Sequence, residues 1–132
     1  MPARIVVVHD DKTFLDEVSA AFAEIGYDIV AFERSMTALT ALGAAHHADI
    51  LITRLSFPPG NPNGLSLARM ARNRRPAITV LFFGPARLLE HTDGVGEFLP
   101  APITVPEIVE TVTKLLAASN TDERDPAARD HL

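Results

Sequence analysis

Two short stretches of the chain carry the side chains that could do chemistry. His9-Asp10-Asp11 follows the apolar run Ile5-Val6-Val7-Val8, and Arg54 follows Asp49-Ile50-Leu51-Ile52-Thr53. A charged residue where a buried strand opens into a loop is the usual place for a functional group in a parallel sheet. Arg54 offers a planar guanidinium that forks onto carboxylate or phosphate, and it is a cation at all ordinary pH. It has no acceptor atom and cannot serve as a nucleophile or carry an acyl group. Other chemistries are poorly supplied. The chain has 0 Cys, so thiol catalysis, thiolate metal sites and disulfides are excluded. HDDKT after the first apolar run is acidic and has no glycine, so it is no phosphate-cradling loop. No Ser, His and Asp fall in an arrangement that suggests nucleophilic catalysis.

The elements that must hold these residues alternate. Ile5–Val8 reads as a strand buried on both faces. Thr13 is the expected cap of a helix whose Phe14, Leu15, Val18, Phe22 and Ile25 recur at helical spacing, and Gly26 stops it. Tyr27–Phe32 is a second strand. Ser35 caps a second helix carrying Met36, Leu39 and Leu42, and Asp49–Thr53 is the third strand. Gly64 precedes a third helix with Leu65, Leu67, Ala68 and Ala71, ended by Pro76. Ile78–Phe83 is the fourth strand, Ala86–His91 a short helix and Glu97–Leu99 the fifth strand. Thr104 and Glu107 form a capping box with Pro106 in the first turn of the last helix. Strand and helix thus alternate five times, which implies a parallel α/β sheet with helices on both faces. The functional residues of such a sheet lie beyond the carboxyl ends of its strands. Those ends are His9-Asp10-Asp11, Arg54, Gly84 and Leu99–Ala101.

With 132 residues and 47% hydrophobic content, one folded domain is expected over 1–118. Residues 119–132, SNTDERDPAARDHL, lack an apolar period and read as a disordered tail. The net charge of -5 gives no general attraction to nucleic acid or anionic lipid. The first apolar run is too short for a signal peptide or a membrane span, so a cytoplasmic protein is expected.

The stretches IVVVHDDKTFL, ADILITRLSFP…NG with LSLARMAR, PAITVLFFG and GEFLPAPIT resemble, in order and spacing, the CheY-like receiver domains of bacterial two-component response regulators. The likeness covers about Arg4 to Ala117. It implies a (βα)5 flavodoxin-like three-layer sandwich with strand order 2-1-3-4-5. Receivers accept a phosphoryl group on an aspartate ending strand three. An acidic pair after strand one helps to hold Mg2+, a Ser or Thr ends strand four, and a Lys precedes a proline after strand five. Carried over, the acidic pair falls on His9 and Asp10, with Asp11 next. The phosphoacceptor position falls on Arg54, the hydroxyl position on Gly84, and the lysine position on Ala101 before Pro102. The aromatic position that moves on activation falls on Phe98. Among the chemical residues only Asp10 keeps the family's type.

The resemblance therefore implies a degenerate receiver that is not phosphorylated, has no catalytic residue and binds Mg2+ weakly or not at all. Asp10 and Asp11 are its only residual metal candidates. Asp49, the nearest other acid, begins its strand and belongs at the wrong end of the sheet. Arg54 is expected to pair with Asp10, and with Asp11 if it reaches. A solvent-facing Arg54 is the plainer alternative. The expected partner is a protein, either a histidine kinase, a regulator or a second copy of the chain. The contact surface would be the face of the fourth helix, fifth strand and fifth helix, with no direct role for nucleic acid or membrane. The alternative function is an anion- or small-ligand-sensing domain using Arg54 and the 58–64 loop, whose Asn and Gly could expose backbone amides. Such a run more often makes a stiff loop. His46-His47 reads as a cationic helix end, Arg69, Arg72, Arg74 and Arg75 as a solvated helix face, and Phe82-Phe83 as core.

Overall fold

A computed structural model describes residues 3–43, 48–55, 63–92 and 94–124, without the side chains of 119–124. The strands are β1 (Arg4–Val8), β2 (Asp28–Phe32), β3 (Ile50–Arg54), β4 (Thr79–Gly84) and β5 (Glu97–Pro100). They form one sheet, all parallel, in the order β2-β1-β3-β4-β5. The α-helices are α1 (Lys12–Ile25), α2 (Ser35–Gly43), α3 (Gly64–Arg74) and α4 (Val105–Arg124). The short helix expected over Ala86–His91 is a 3-10 helix over Ala86–Thr92, begun by the Leu88 N–H donating to the Pro85 carbonyl at 3.0 Å. A tight turn of this kind suits a short connector behind a proline.

The sheet separates two apolar layers, because successive strand residues face opposite sides. Ile5, Val7, Ile50, Ile52, Leu81 and Phe83 pack under α1 and α4. Val6, Val8, Leu51, Leu55, Val80 and Phe82 pack under α2 and α3. That double coverage explains why β1, β3 and β4 are continuously apolar in sequence. The helices bury single stripes: Leu15, Val18 and Phe22 of α1, and Ile108, Val112 and Leu116 of α4. Gly26 ends α1 at φ 103°, while the Tyr27 N–H reaches back to the Phe22 carbonyl at 3.1 Å. Only glycine takes that left-handed turn without strain.

Three local expectations are corrected. α1 is capped by Asp11 rather than Thr13: the Asp11 carboxylate accepts the Thr13 and Phe14 amides at 3.0 and 3.3 Å. An aspartate in the cap position outranks a threonine already inside the first turn. Gly64 is the first residue of α3 rather than the residue before it, and Asn63 is the cap, accepting the Ser66 amide at 2.8 Å. Last, α4 continues to Arg124, past the boundary expected at 118. Its polar final turns have no apolar stripe to read but contain no helix breaker before Pro126. Residues 125–132 lie outside the described residues. None of the described helices is long and apolar enough to cross a membrane.

Candidate functional site

The carboxyl ends of β1, β3, β4 and β5 bring the singled-out residues to one edge of the sheet. β1 and β3 are neighbours, with Val8 beside Thr53, so the residues that follow each strand end side by side. Arg54 Nη1 donates to Asp10 Oδ1 at 2.5 Å. The pair is half-open to solvent, with side-chain exposures of 39% for Arg54 and 36% for Asp10. Burial pushes the Asp10 carboxyl up. The hydrogen bond from Arg54, a backbone hydrogen bond of Asp10 itself and the Arg54 charge outweigh it, and the carboxyl titrates below its ordinary range. Asp11 does not join the pair, because its carboxylate is held in the α1 cap.

His9 takes a part that its sequence position did not signal. Its ring lies 4.5 Å from the Phe14 ring and stacks on Phe83 at 5.4 Å and 21°. Phe14 and Phe83 are themselves 5.4 Å apart. Nδ1 accepts the Asp11 amide at 2.9 Å, which places the proton of the neutral ring on Nε2. Desolvation by this packing holds the His9 pKa below 6.5. The Asp10 and Asp11 charges raise it and the Arg54 charge lowers it, but burial dominates. His9 is thus an aromatic wedge between α1 and β4. The alternation of the strand was a usable signal: His9 shares the parity of Val7, which faces α1.

Around Arg54 the backbone is tight on one side and open on the other. The Gly64 N–H donates to the Leu55 carbonyl at 2.8 Å, and a Cβ on Gly64 would collide with the Arg54 carbonyl. Gly84, at the end of β4, has room: a Cβ there would meet only Leu55 Cβ, at 3.7 Å. Its carbonyl accepts the Ala101 amide at 2.8 Å, joining the ends of β4 and β5. Ala101 is exposed, and the Ala101–Pro102 peptide is cis. Phe98 pairs in register with Phe82 on β4 and packs, partly exposed, in the layer under α2 and α3. Asp49 lies at the opposite end of the sheet from Arg54, where it accepts the Arg4 amide at 2.8 Å. Of the 58–64 loop only Asn63 and Gly64 are described; residues 58–62, like His46 and His47, lie outside the described residues.

No family model matches the chain. In sequence it is 25% identical to the DNA-binding transcriptional regulator NtrC of Azospirillum brasilense over 130 residues, 95% of this chain and 26% of that protein. It is 23% identical over 128 residues to the response regulator MprA of a Mycobacterium strain (KMS), covering 93% of this chain and 54% of the relative. The chain thus spans about a quarter to a half of these relatives. A receiver (CheY-like) domain of Methanospirillum hungatei superposes with TM-score 0.82 at 16% identity, covering 92% of this chain and 99% of the other. A receiver protein of Sinorhizobium medicae gives 0.79 at 24%, covering 89% and 97%. A structure described as an adenylate cyclase of Rhodopirellula baltica gives 0.84 at 15%, covering both chains fully, and shows likeness of fold.

The class is therefore a CheY-like, flavodoxin-type (βα)5 domain. Its sequence relatives are regulators, and its fold is that of solved receiver domains.

Proposed function

We propose that this domain is a receiver that signals without being phosphorylated, by contact with another protein. The observation that carries the proposal is the Arg54–Asp10 pair at the ends of β3 and β1. A phosphoryl group there would need a carboxylate to accept it, and a metal and donors to neutralise it. At the position where the receiver likeness puts the acceptor, this chain has a guanidinium that already holds the remaining family acid. Gly84 supplies no hydroxyl and Ala101 no ammonium.

The same residues do not fit a Mg2+ site. Mg2+ is bound by one or two carboxylates with several waters in octahedral geometry. Asp10 is engaged by Arg54, Asp11 by the α1 amides and His9 Nδ1 by an amide, and the Arg54 charge repels a cation. The anion-sensing alternative has less support, because an anion would have to displace Asp10 from Arg54. The partner is a histidine kinase, a regulator or a second copy. Neither nucleic acid nor membrane is a direct ligand, and the site of action is the cytoplasm.

Acetyl phosphate with Mg2+ tests the reading. Incubation is expected to leave no acid- and base-labile phosphate on the chain, measured by intact mass. Phosphate on any aspartate would overturn it. Arg54→Asp alone is expected to remain a poor acceptor, since the hydroxyl and ammonium positions stay empty of those groups.

A further inference from the structure

Helices α1 and α3, on opposite faces of the sheet, carry opposite unpaired charge. No acidic residue occurs between Asp49 and Glu90, yet that stretch holds six of the 12 Lys and Arg. Four of the six cluster at Arg69, Arg72, Arg74 and Arg75, on α3 and just after it. Arg72 is used by the fold, its Nη2 donating to the Ile78 carbonyl at 3.1 Å. Arg69 and Arg74 are different. Both are exposed, and neither has an ion pair or side-chain hydrogen bond among the described residues. Between them Met70 stands 41% exposed.

α1 covers the other face of the sheet, and its outer side is the complement. Lys12 takes up Asp16, and Arg4 takes up Asp28 just beyond the helix. Glu17 and Glu24 are left exposed without a partner among the described residues. They lie seven residues apart, two helical turns or roughly 10 Å on one stripe. Ile25 follows, 53% exposed. Helix α1 thus offers two unpaired acids and the exposed Ile25, and α3 two unpaired arginines and the exposed Met70, with opposite sign on the two helices.

We propose that the domain self-associates front to back, α1 of one copy docking on α3 of the next. Glu17 and Glu24 meet Arg69 and Arg74, and Ile25 and Met70 are covered at the same contact. The contact is heterologous, since two different surfaces meet, so it builds rings or open chains instead of a closed pair. It is weak and salt-sensitive, because exposed charges are screened within about 8 Å at physiological ionic strength and about 30 Å at 0.01 M. It uses neither the Arg54 pocket nor the β5 edge and does not depend on the absence of phosphorylation.

Sedimentation velocity over a concentration series in low and physiological salt tests it. Species larger than a dimer are expected at low salt, receding as salt rises. The charge-reversed variants Arg69→Glu/Arg74→Glu and Glu17→Lys/Glu24→Lys are each expected to stay monomeric alone. The first then has two acidic faces and the second two basic ones. Mixed in equal amounts, they regain complementary faces and are expected to assemble again, which also shows that both variants fold. A wild-type protein that stays monomeric throughout overturns the proposal. So does assembly that stops at a dimer, or that persists in either variant alone. A mixture that stays monomeric overturns it as well.

Discussion

Two arginine–aspartate pairs tie β1 to its neighbours, one at each end of the sheet. At the amino end Arg4 Nε donates to Asp28 Oδ2 at 2.8 Å, with Nη2 also 2.8 Å from that oxygen, joining β1 to the start of β2. At the carboxyl end Arg54 joins β3 to the residues after β1. Their exposures are alike, 32% and 45% for the first pair against 39% and 36% for the second. As ion pairs they are therefore worth about the same, and little. The surroundings differ. The amino-end pair sits where ligands of α/β sheets do not bind. The carboxyl-end pair sits where they do, beside a stacked imidazole and a close-packed backbone. What distinguishes a functional charge pair here is its neighbours, and substitution can separate the two properties.

The largest effect should come from the packing beneath Arg54. Gly64→Ala drives a Cβ into the Arg54 carbonyl, which neither β3 nor the start of α3 can easily yield. Overpacking of this kind costs about 1–3 kcal/mol. Gly84→Ala, whose Cβ meets only one ordinary contact, should stay within about 0.5 kcal/mol of wild type. Urea denaturation of both variants measures the contrast. Equal losses would show that the carboxyl end is not tight on one side and open on the other.

The arginines themselves come next. Arg4→Ala and Arg54→Ala should each cost about 0–1 kcal/mol, as expected for exposed pairs. Their effect on titration should separate them. Arg54→Ala removes the hydrogen bond and charge that hold the Asp10 carboxyl down, so Asp10 should titrate at higher pH by NMR. His9 should rise as well, because the Arg54 charge lowers it. Arg4→Ala should leave both unchanged. A folded pKa below the unfolded one stabilises above the unfolded value and is lost as pH falls through the folded value. The Asp10 contribution is accordingly present above about pH 4 and disappears below it. An Arg4→Ala variant that moves Asp10 as far as Arg54→Ala would make the effect global instead of local.

Most of this architecture was legible in the sequence. Burial on both faces writes continuous apolar runs, so β1, β3 and β4 stood out, and five alternations implied the parallel sheet. The strand order could come only from the family likeness, because alternation does not say which strands neighbour one another. Arg54 and Asp10 could be paired because each follows a strand, and that likeness makes the strands adjacent. Asp11 was grouped with Asp10 because a carboxylate beside another reads as part of a site, whereas its hydrogen bonds from the Thr13 and Phe14 amides make it a cap. His9 was read only as part of the strand-one end and of the pair it forms with Asp10. The parity it shares with Val7 pointed to the α1 side, but its ring partners on α1 and β4 come from distant sequence and could not be named from it.

The smallest effect is the one that isolates His9. Its ring is packed against Phe14 and Phe83 with Nδ1 accepting the Asp11 amide, an arrangement made for the neutral imidazole. Protonation at Nδ1 removes that acceptor and places a cation among the rings, near Arg54. The folded pKa lies below the ordinary 6.5, so near and below that pH the unfolded chain binds a proton more readily than the folded one. Stability from the neutral ring is therefore full above about pH 6.5 and falls as pH drops through the lowered pKa. His9→Phe keeps an aromatic ring at the wedge and removes the titration. Its unfolding midpoint should fall less between pH 7.5 and pH 5 than that of wild type. The remaining fall in the variant reports the other groups of the chain, so the difference between the two slopes belongs to His9. Identical slopes would mean that the ring binds its proton equally well folded and unfolded. The wedge would then discriminate against charge no more than the solvent does, and the carboxyl end would differ from the amino end only in the tight backbone at Gly64.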